Sequence, residues 1–121
     1  TTFTTPTGLD GNVSNPVDLF LLSKYIAKEH PLIFEISRQP NISLVSRQGK
    51  TYRLKNTNAL IGKLPGILGG KTGYTPESNG SLLLYYEVGK TKIISVVLGS
   101  SARFSDTEVL YNWYLNNYLA R

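Results

Sequence analysis

Two apolar runs with only two residues between them constrain this chain more than any other feature. Ser81 to Val88 carries Leu82, Leu83, Leu84, Tyr85 and Tyr86, and Thr91 to Leu98 carries Ile93, Ile94, Val96 and Val97. Both read as strands. Gly89-Lys90 makes a tight turn between them, so they pair antiparallel. Runs this apolar suit a sheet covered on both faces. A third strand is expected at about 67–74. The expected fold class is α/β, an antiparallel sheet with helices packed on its faces.

The flanks supply the helices. Asn15-Pro16 opens one, with Asn15 as N-cap, Pro16 in the first helical position and Asp18 in the first turn. Leu19, Leu22 and Ile26 recur at helical spacing, and the helix should end near Glu29, because His30 precedes Pro31. Residues 31–37 read as a second short helix, although the alternation of Leu32, Phe34 and Ile36 also permits a strand. Ile42, Leu44 and Val45, then Gln48-Gly49, then Tyr52 and Leu54 read as a hairpin. Residues 56–65 read as an irregular connection. Ser105-Asp-Thr-Glu108 has the pattern of a capping box for a final helix. Val109, Leu110, Trp113, Tyr114 and Tyr118 would form its apolar face against the sheet.

Composition excludes several classes. At 121 residues a single domain is expected. Cys is absent, and His30 is the only His. No disulfide framework or thiolate site is therefore available, and a His-based metal site would lack partners. No apolar run approaches the ~20 residues of a membrane span. Thirteen Lys and Arg against eight Asp and Glu give a net charge of +5, compatible with an anionic partner. The basic stretch Arg47, Lys50, Arg53, Lys55 and Lys63 has only Tyr52 interleaved for stacking, so no nucleic acid is expected as a partner. No signal peptide is visible. The start at Thr1 without Met reads as a cut in a longer parent.

The chemistry concentrates at Gly69-Gly70-Lys71-Thr72-Gly73-Tyr74-Thr75 on the first strand of the sheet. Lys71 supplies positive charge, Thr72 a donor and acceptor, and Gly73 room for another backbone to approach. That set suits an anionic, extended ligand held against a sheet edge. Taken alone, it also describes a Gly-rich loop with an exposed Lys. Strict alternation puts Lys71 and Gly73 on one face and Thr72 on the other. A phosphate loop is excluded: Pro65 stands where its first Gly belongs, and Gly73 follows Lys-Thr where a helix should begin. A Ser-His-Asp triad would have to use His30, and no nucleophile elbow lies near it.

Lys-Thr-Gly is associated with serine enzymes that bind penicillin. The whole chain resembles the C-terminal part of the catalytic domain of D-alanyl-D-alanine carboxypeptidases, the low-molecular-mass penicillin-binding proteins. Thr2 to Asp10 looks like the segment after that family's Ser-x-Asn motif, and Asn15 to Ile26 like the helix that follows. Asn56-Thr57-Asn58-Ala59-Leu60 with Gly69 to Thr75 is the most specific block. Ile93 to Gly99 and Arg103-Phe104-Ser105-Asp106 resemble the last strand and the start of the final helix. The resemblance implies part of a penicillin-binding-protein/β-lactamase-like fold spanning 1–121. It also implies a site in the bacterial cell envelope outside the cytoplasm, and leaves membrane anchoring of the parent open.

The departures carry equal weight. No Ser in the chain has Lys three residues on, and none has Asn two residues on. The family's acylated Ser, its partner Lys and its Ser-x-Asn motif are therefore missing, and no catalytic nucleophile can be assigned. In such enzymes that Ser attacks the terminal peptide bond of a peptidoglycan stem ending in D-Ala-D-Ala, and β-lactams acylate it. No cofactor or metal is implied. This chain would form the other wall of the cleft. Lys71 would attract the terminal carboxylate, Thr72 would hydrogen-bond it, and Gly73 would let the peptide lie along the strand. Arg103 matches a family Arg acting on the same carboxylate. The isolated chain is expected to be inactive, and the missing N-terminal part or a second copy is an expected partner. The alternative is a non-catalytic module that binds cell-wall peptides.

Overall fold

The computed structural model describes residues 1–9 and 11–119; Asp10, at the end of the first family-like segment, lies outside them. Asn15 accepts the Asp18 N–H at 2.9 Å, and helix α1 runs Pro16–Glu29 with Pro in its first turn. The Asn15-Pro16 start and the stop before Pro31 stand where the sequence puts them. Residues Leu32–Ser37 form helix α2, so the alternating pattern there resolves as helix, with Phe34 as its buried residue. Strands β1 (Asn41–Val45) and β2 (Thr51–Lys55) pair antiparallel as the expected hairpin, which is largely exposed.

The main sheet has three antiparallel strands in the order β3 (Ile67–Thr75), β4 (Asn79–Val88), β5 (Thr91–Ser100). Gly89, at φ +63, supplies the left-handed conformation of the β4–β5 turn. Along the central strand burial alternates strictly. Gly80, Leu82, Leu84, Tyr86 and Val88 are buried and the residues between them half-buried. The buried side chains form the core with Leu60 and Tyr111, and the Tyr86 and Tyr111 rings stand 5.3 Å apart. Each such large apolar side chain contributes about 1.5–3 kcal/mol on leaving water. On the opposite face Tyr85 meets Phe34 at 4.9 Å. Both faces are covered, unequally.

The last helix departs from expectation twice. Helix α3 spans Arg103–Tyr114, followed by a π-helical turn, Leu115–Leu119. Ser105 therefore lies inside the helix and is not its cap. The N-cap is Ala102, with no side-chain cap; Ser100, at the end of β5, braces the turn instead: its hydroxyl accepts the Ala102 N–H at 2.8 Å and donates to Asp106 Oδ2 at 2.5 Å. These bonds tighten the turn, so the helix starts two residues before the capping-box pattern.

The face that α3 turns to the sheet is also different. Thr107 and Tyr111 are buried, and Phe104, Tyr114 and Leu115 pack beside the core. Val109, Leu110, Trp113 and Tyr118 are exposed, Trp113 by 54%. Thr107 can be buried because its hydroxyl donates to the Arg103 carbonyl at 2.7 Å. Choosing the face by side-chain size passed over it. Among the described residues no helix is long and apolar enough to cross a membrane.

Candidate functional site

The site is built on β3, and β3 is set by helix α2. Gly69 is buried, and a Cβ there would lie 2.7 Å from Phe34 Cδ1, 2.7 Å from its carbonyl oxygen and 2.8 Å from its Cα. The Ser37 hydroxyl accepts the Gly70 N–H at 3.1 Å. A Cβ on Gly70 would meet the Leu83 carbonyl oxygen at 2.5 Å. These two glycines are thus consumed by packing. Gly73 differs: its φ is not positive, and a Cβ would find only Ser81 Cβ, at an ordinary 3.7 Å. The fold itself does not require Gly at 73.

Cross-strand partners in an antiparallel pair share a face. Thr72 stands opposite Leu82 and Tyr74 opposite Gly80, on the face turned to the core. Lys71 stands opposite Leu83, on the other face. The alternation read from the sequence is therefore real, but the Lys71 ammonium folds back and donates to the carbonyl oxygen of Thr72. The cation reaches the strand backbone beside Thr72 from the opposite face.

The loop before β3 supplies a residue that sequence reasoning did not single out. Asn56 Nδ2 donates to the Ser37 and Gln39 carbonyls at 2.7 and 2.9 Å, and its Oδ1 accepts the Asn58 N–H at 2.9 Å. Asn58 Oδ1 accepts the N–H of the fully buried Leu60 at 3.0 Å. Between these anchors Thr57 Oγ1 sits 2.5 Å from Thr72 Oγ1. The only sequence signal for Thr57 was its place in the Asn-x-Asn block.

Arg103 opens α3, and its guanidinium carbon lies 5.6 Å from the Tyr74 ring centre and 4.7 Å from that of Phe104. Its Nε is buried without a partner. Among the described residues neither Arg103 nor Lys71 has a carboxylate within ion-pair distance. The structure thus brings Thr72 and Arg103 to one face with Tyr74 between them, Lys71 reaching in from the other side and Gly73 exposed.

Other titratable groups are engaged elsewhere. His30 packs against the Tyr25 ring at 5.4 Å, at the end of α1. Asp18 receives the Thr1 ammonium at 2.8 Å, which holds its carboxyl below the usual range. Among the described residues no three His, Asp or Glu side chains gather as a metal site would require.

Residues 1–102 match the family described as D-alanyl-D-alanine carboxypeptidase. The chain is 35% identical over 103 residues to D-alanyl-D-alanine carboxypeptidase DacF of Bacillus subtilis, covering 84% of this chain and 26% of that protein. It is 31% identical over 119 residues to DacC of Escherichia coli, covering 93% and 28%. Among solved structures, penicillin-binding protein D2 of Listeria monocytogenes in its cefotaxime-bound form superposes with a TM-score of 0.79 at 36% identity, over 93% of this chain and 47% of that one. The Streptomyces K15 DD-transpeptidase gives 0.72 at 28% identity, over 83% and 41%. The chain spans less than half the length of each of these relatives.

Proposed function

The chain belongs to the D-alanyl-D-alanine carboxypeptidase family, and from that membership we propose that it forms the Lys-Thr-Gly wall of a penicillin-binding cleft. The protein it serves trims peptidoglycan stems ending in D-Ala-D-Ala, acts in the cell envelope outside the cytoplasm and is acylated by β-lactams. Residues 1–121 are the C-terminal portion of its catalytic domain. Lys71 and Arg103 attract the terminal carboxylate, Thr72 hydrogen-bonds it, and Gly73 leaves room for the peptide backbone. The Ser nucleophile and its Lys come from outside these 121 residues.

The observation that carries this reading is Gly73. Gly69 and Gly70 admit no side chain because the fold fills the space, whereas Gly73 is exposed and unobstructed by the chain itself. A Gly that the fold does not need, between a cation with no carboxylate partner and an aromatic, suits a ligand backbone lying against the strand. Each charge-assisted contact to a carboxylate contributes on the order of 1.5–3 kcal/mol.

The isolated chain then binds a D-Ala-D-Ala peptide without cutting it. Titration should give saturable binding, with no D-Ala released and no covalent adduct formed with labelled penicillin. D-Ala release or a penicillin adduct on this chain alone would refute the assignment. The second reading, a non-catalytic module for cell-wall peptides, is favoured by the absence of Ser-x-x-Lys and Ser-x-Asn. Restored D-Ala release on joining a segment that carries both motifs would decide against it.

A further inference from the structure

We infer that Gly80 and Tyr74 are positioning residues that hold the Arg103 guanidinium where it selects ligands ending in a free carboxylate. The inference rests on the reading of the cleft given above. Arg103 leaves the chain just after β5, close to Ser100, which pairs with Gly80 on β4; Gly80 in turn pairs with Tyr74 on β3. The side chain crosses the sheet along that line. A Cβ at Gly80 would lie 2.7 Å from Arg103 Nη1, 2.9 Å from its Cδ and 2.7 Å from the Ser100 carbonyl oxygen. The φ of Gly80 is not positive, so its backbone does not demand glycine. The space a side chain would take at 80 is shared by the arginine and the Ser100 carbonyl.

At the far end of that line the guanidinium sits between the Tyr74 and Phe104 rings, with its Nε covered. A guanidinium held by two rings and facing no carboxylate of its own keeps its fork free for a bidentate anion. Tyr74 is 65% exposed, and among the described residues the cation its ring meets is Arg103. It stands two residues beyond Thr72 on the same face, a step of about 6.5–7 Å. A carboxylate between them meets the Thr72 hydroxyl and the Arg103 fork together, whereas an amide offers the fork no charge. Any side chain at 80 displaces the guanidinium, and loss of the Tyr74 ring releases it.

The test compares two peptides ending in D-Ala-D-Ala, one a free acid and one C-terminally amidated, titrated into the 121-residue chain by NMR. Wild type should bind the acid about tenfold or more tightly than the amide. Gly80→Ala and Tyr74→Leu should each lower that ratio severalfold, the remaining preference being that of Lys71, with amide affinity unchanged. A purely structural loss would weaken both peptides alike and leave the ratio intact, which would overturn the inference. Should Gly80→Ala fail to fold, Tyr74→Leu decides, because its side chain is exposed. If wild type binds neither peptide, the cleft reading falls and this inference with it. If wild type and both variants prefer the acid equally, this inference alone falls.

Discussion

Thr57 Oγ1 lies 2.5 Å from Thr72 Oγ1, tying the loop ahead of β3 to the middle residue of Lys-Thr-Gly. Each hydroxyl has one proton to donate and can accept as well. When Thr57 donates to Thr72, the Thr72 proton is left to point at a bound carboxylate. Thr57→Val should then reduce affinity for a D-Ala-D-Ala peptide by roughly 2- to 12-fold, the range for one net hydrogen bond of ~0.5–1.5 kcal/mol. Thr57→Ser should retain it. Calorimetric titration of the two variants is the measurement, and equal affinity for both would contradict the assignment.

The glycines of β3 should separate by substitution. Gly69→Ala drives a methyl into Phe34 at 2.7–2.8 Å, an overpacking that should cost about 1–3 kcal/mol in urea denaturation. Gly73→Ala meets nothing closer than 3.7 Å, so stability should change by less than about 1 kcal/mol. Its effect should fall on peptide binding, about tenfold or more. Equal destabilisation by the two substitutions would show that Gly73 is structural.

Burial raises the pKa of Tyr86 above its ordinary value of 10. Below pH 10 the folded and unfolded chains both keep the phenol proton. Between 10 and the raised value the unfolded chain ionises while the fold holds its proton, so stability should fall as pH climbs past 10. Tyr86→Phe should flatten that decline. Urea midpoints from pH 8 to 11 for the two proteins test it, and parallel curves would exclude Tyr86 as the cause.

Helix α3 exposes Val109, Leu110 and Trp113, and the π-helical turn after it Tyr118; among the described residues β5 has no strand beyond it. An open edge beside an apolar helix face favours association. Light scattering should show a mass above the monomer at high concentration. Val109→Ser with Trp113→Ser should bring it down, with thermal stability nearly unchanged because both side chains are outside the core. A strictly monomeric wild type would refute this.

Several elements were legible because their signals are local. Asn15-Pro16 marks a helix start through one cap and one fixed φ, and Gly89-Lys90 between two apolar runs admits only an antiparallel turn. Four stretches identified the family, Lys-Thr-Gly with the Asn56 to Leu60 block being the most specific of them. Pattern misled at the last helix. Ser105 fits a capping box, yet the helix begins at Arg103 behind Ala102, which supplies no side-chain cap, and Ser100 ties that turn to Asp106. Leu32, Phe34 and Ile36 permitted a strand beside the expected short helix, and the helix is what packs against Gly69.

By itself the sequence determined the order of helices and strands, the antiparallel pairing of β4 with β5, and the chemistry that Lys71, Thr72, Gly73 and Arg103 could offer. Periodicity and capping act over a few residues, so they can be read from the chain alone. Only the tertiary structure decided which glycine is spent on packing and which is left open, which face of α3 meets the sheet, and that Arg103 crosses Gly80 to reach Tyr74. Those outcomes depend on residues as far apart in the chain as Phe34 and Gly69, or Tyr74 and Arg103, coming together, a condition set by the close packing of the whole fold.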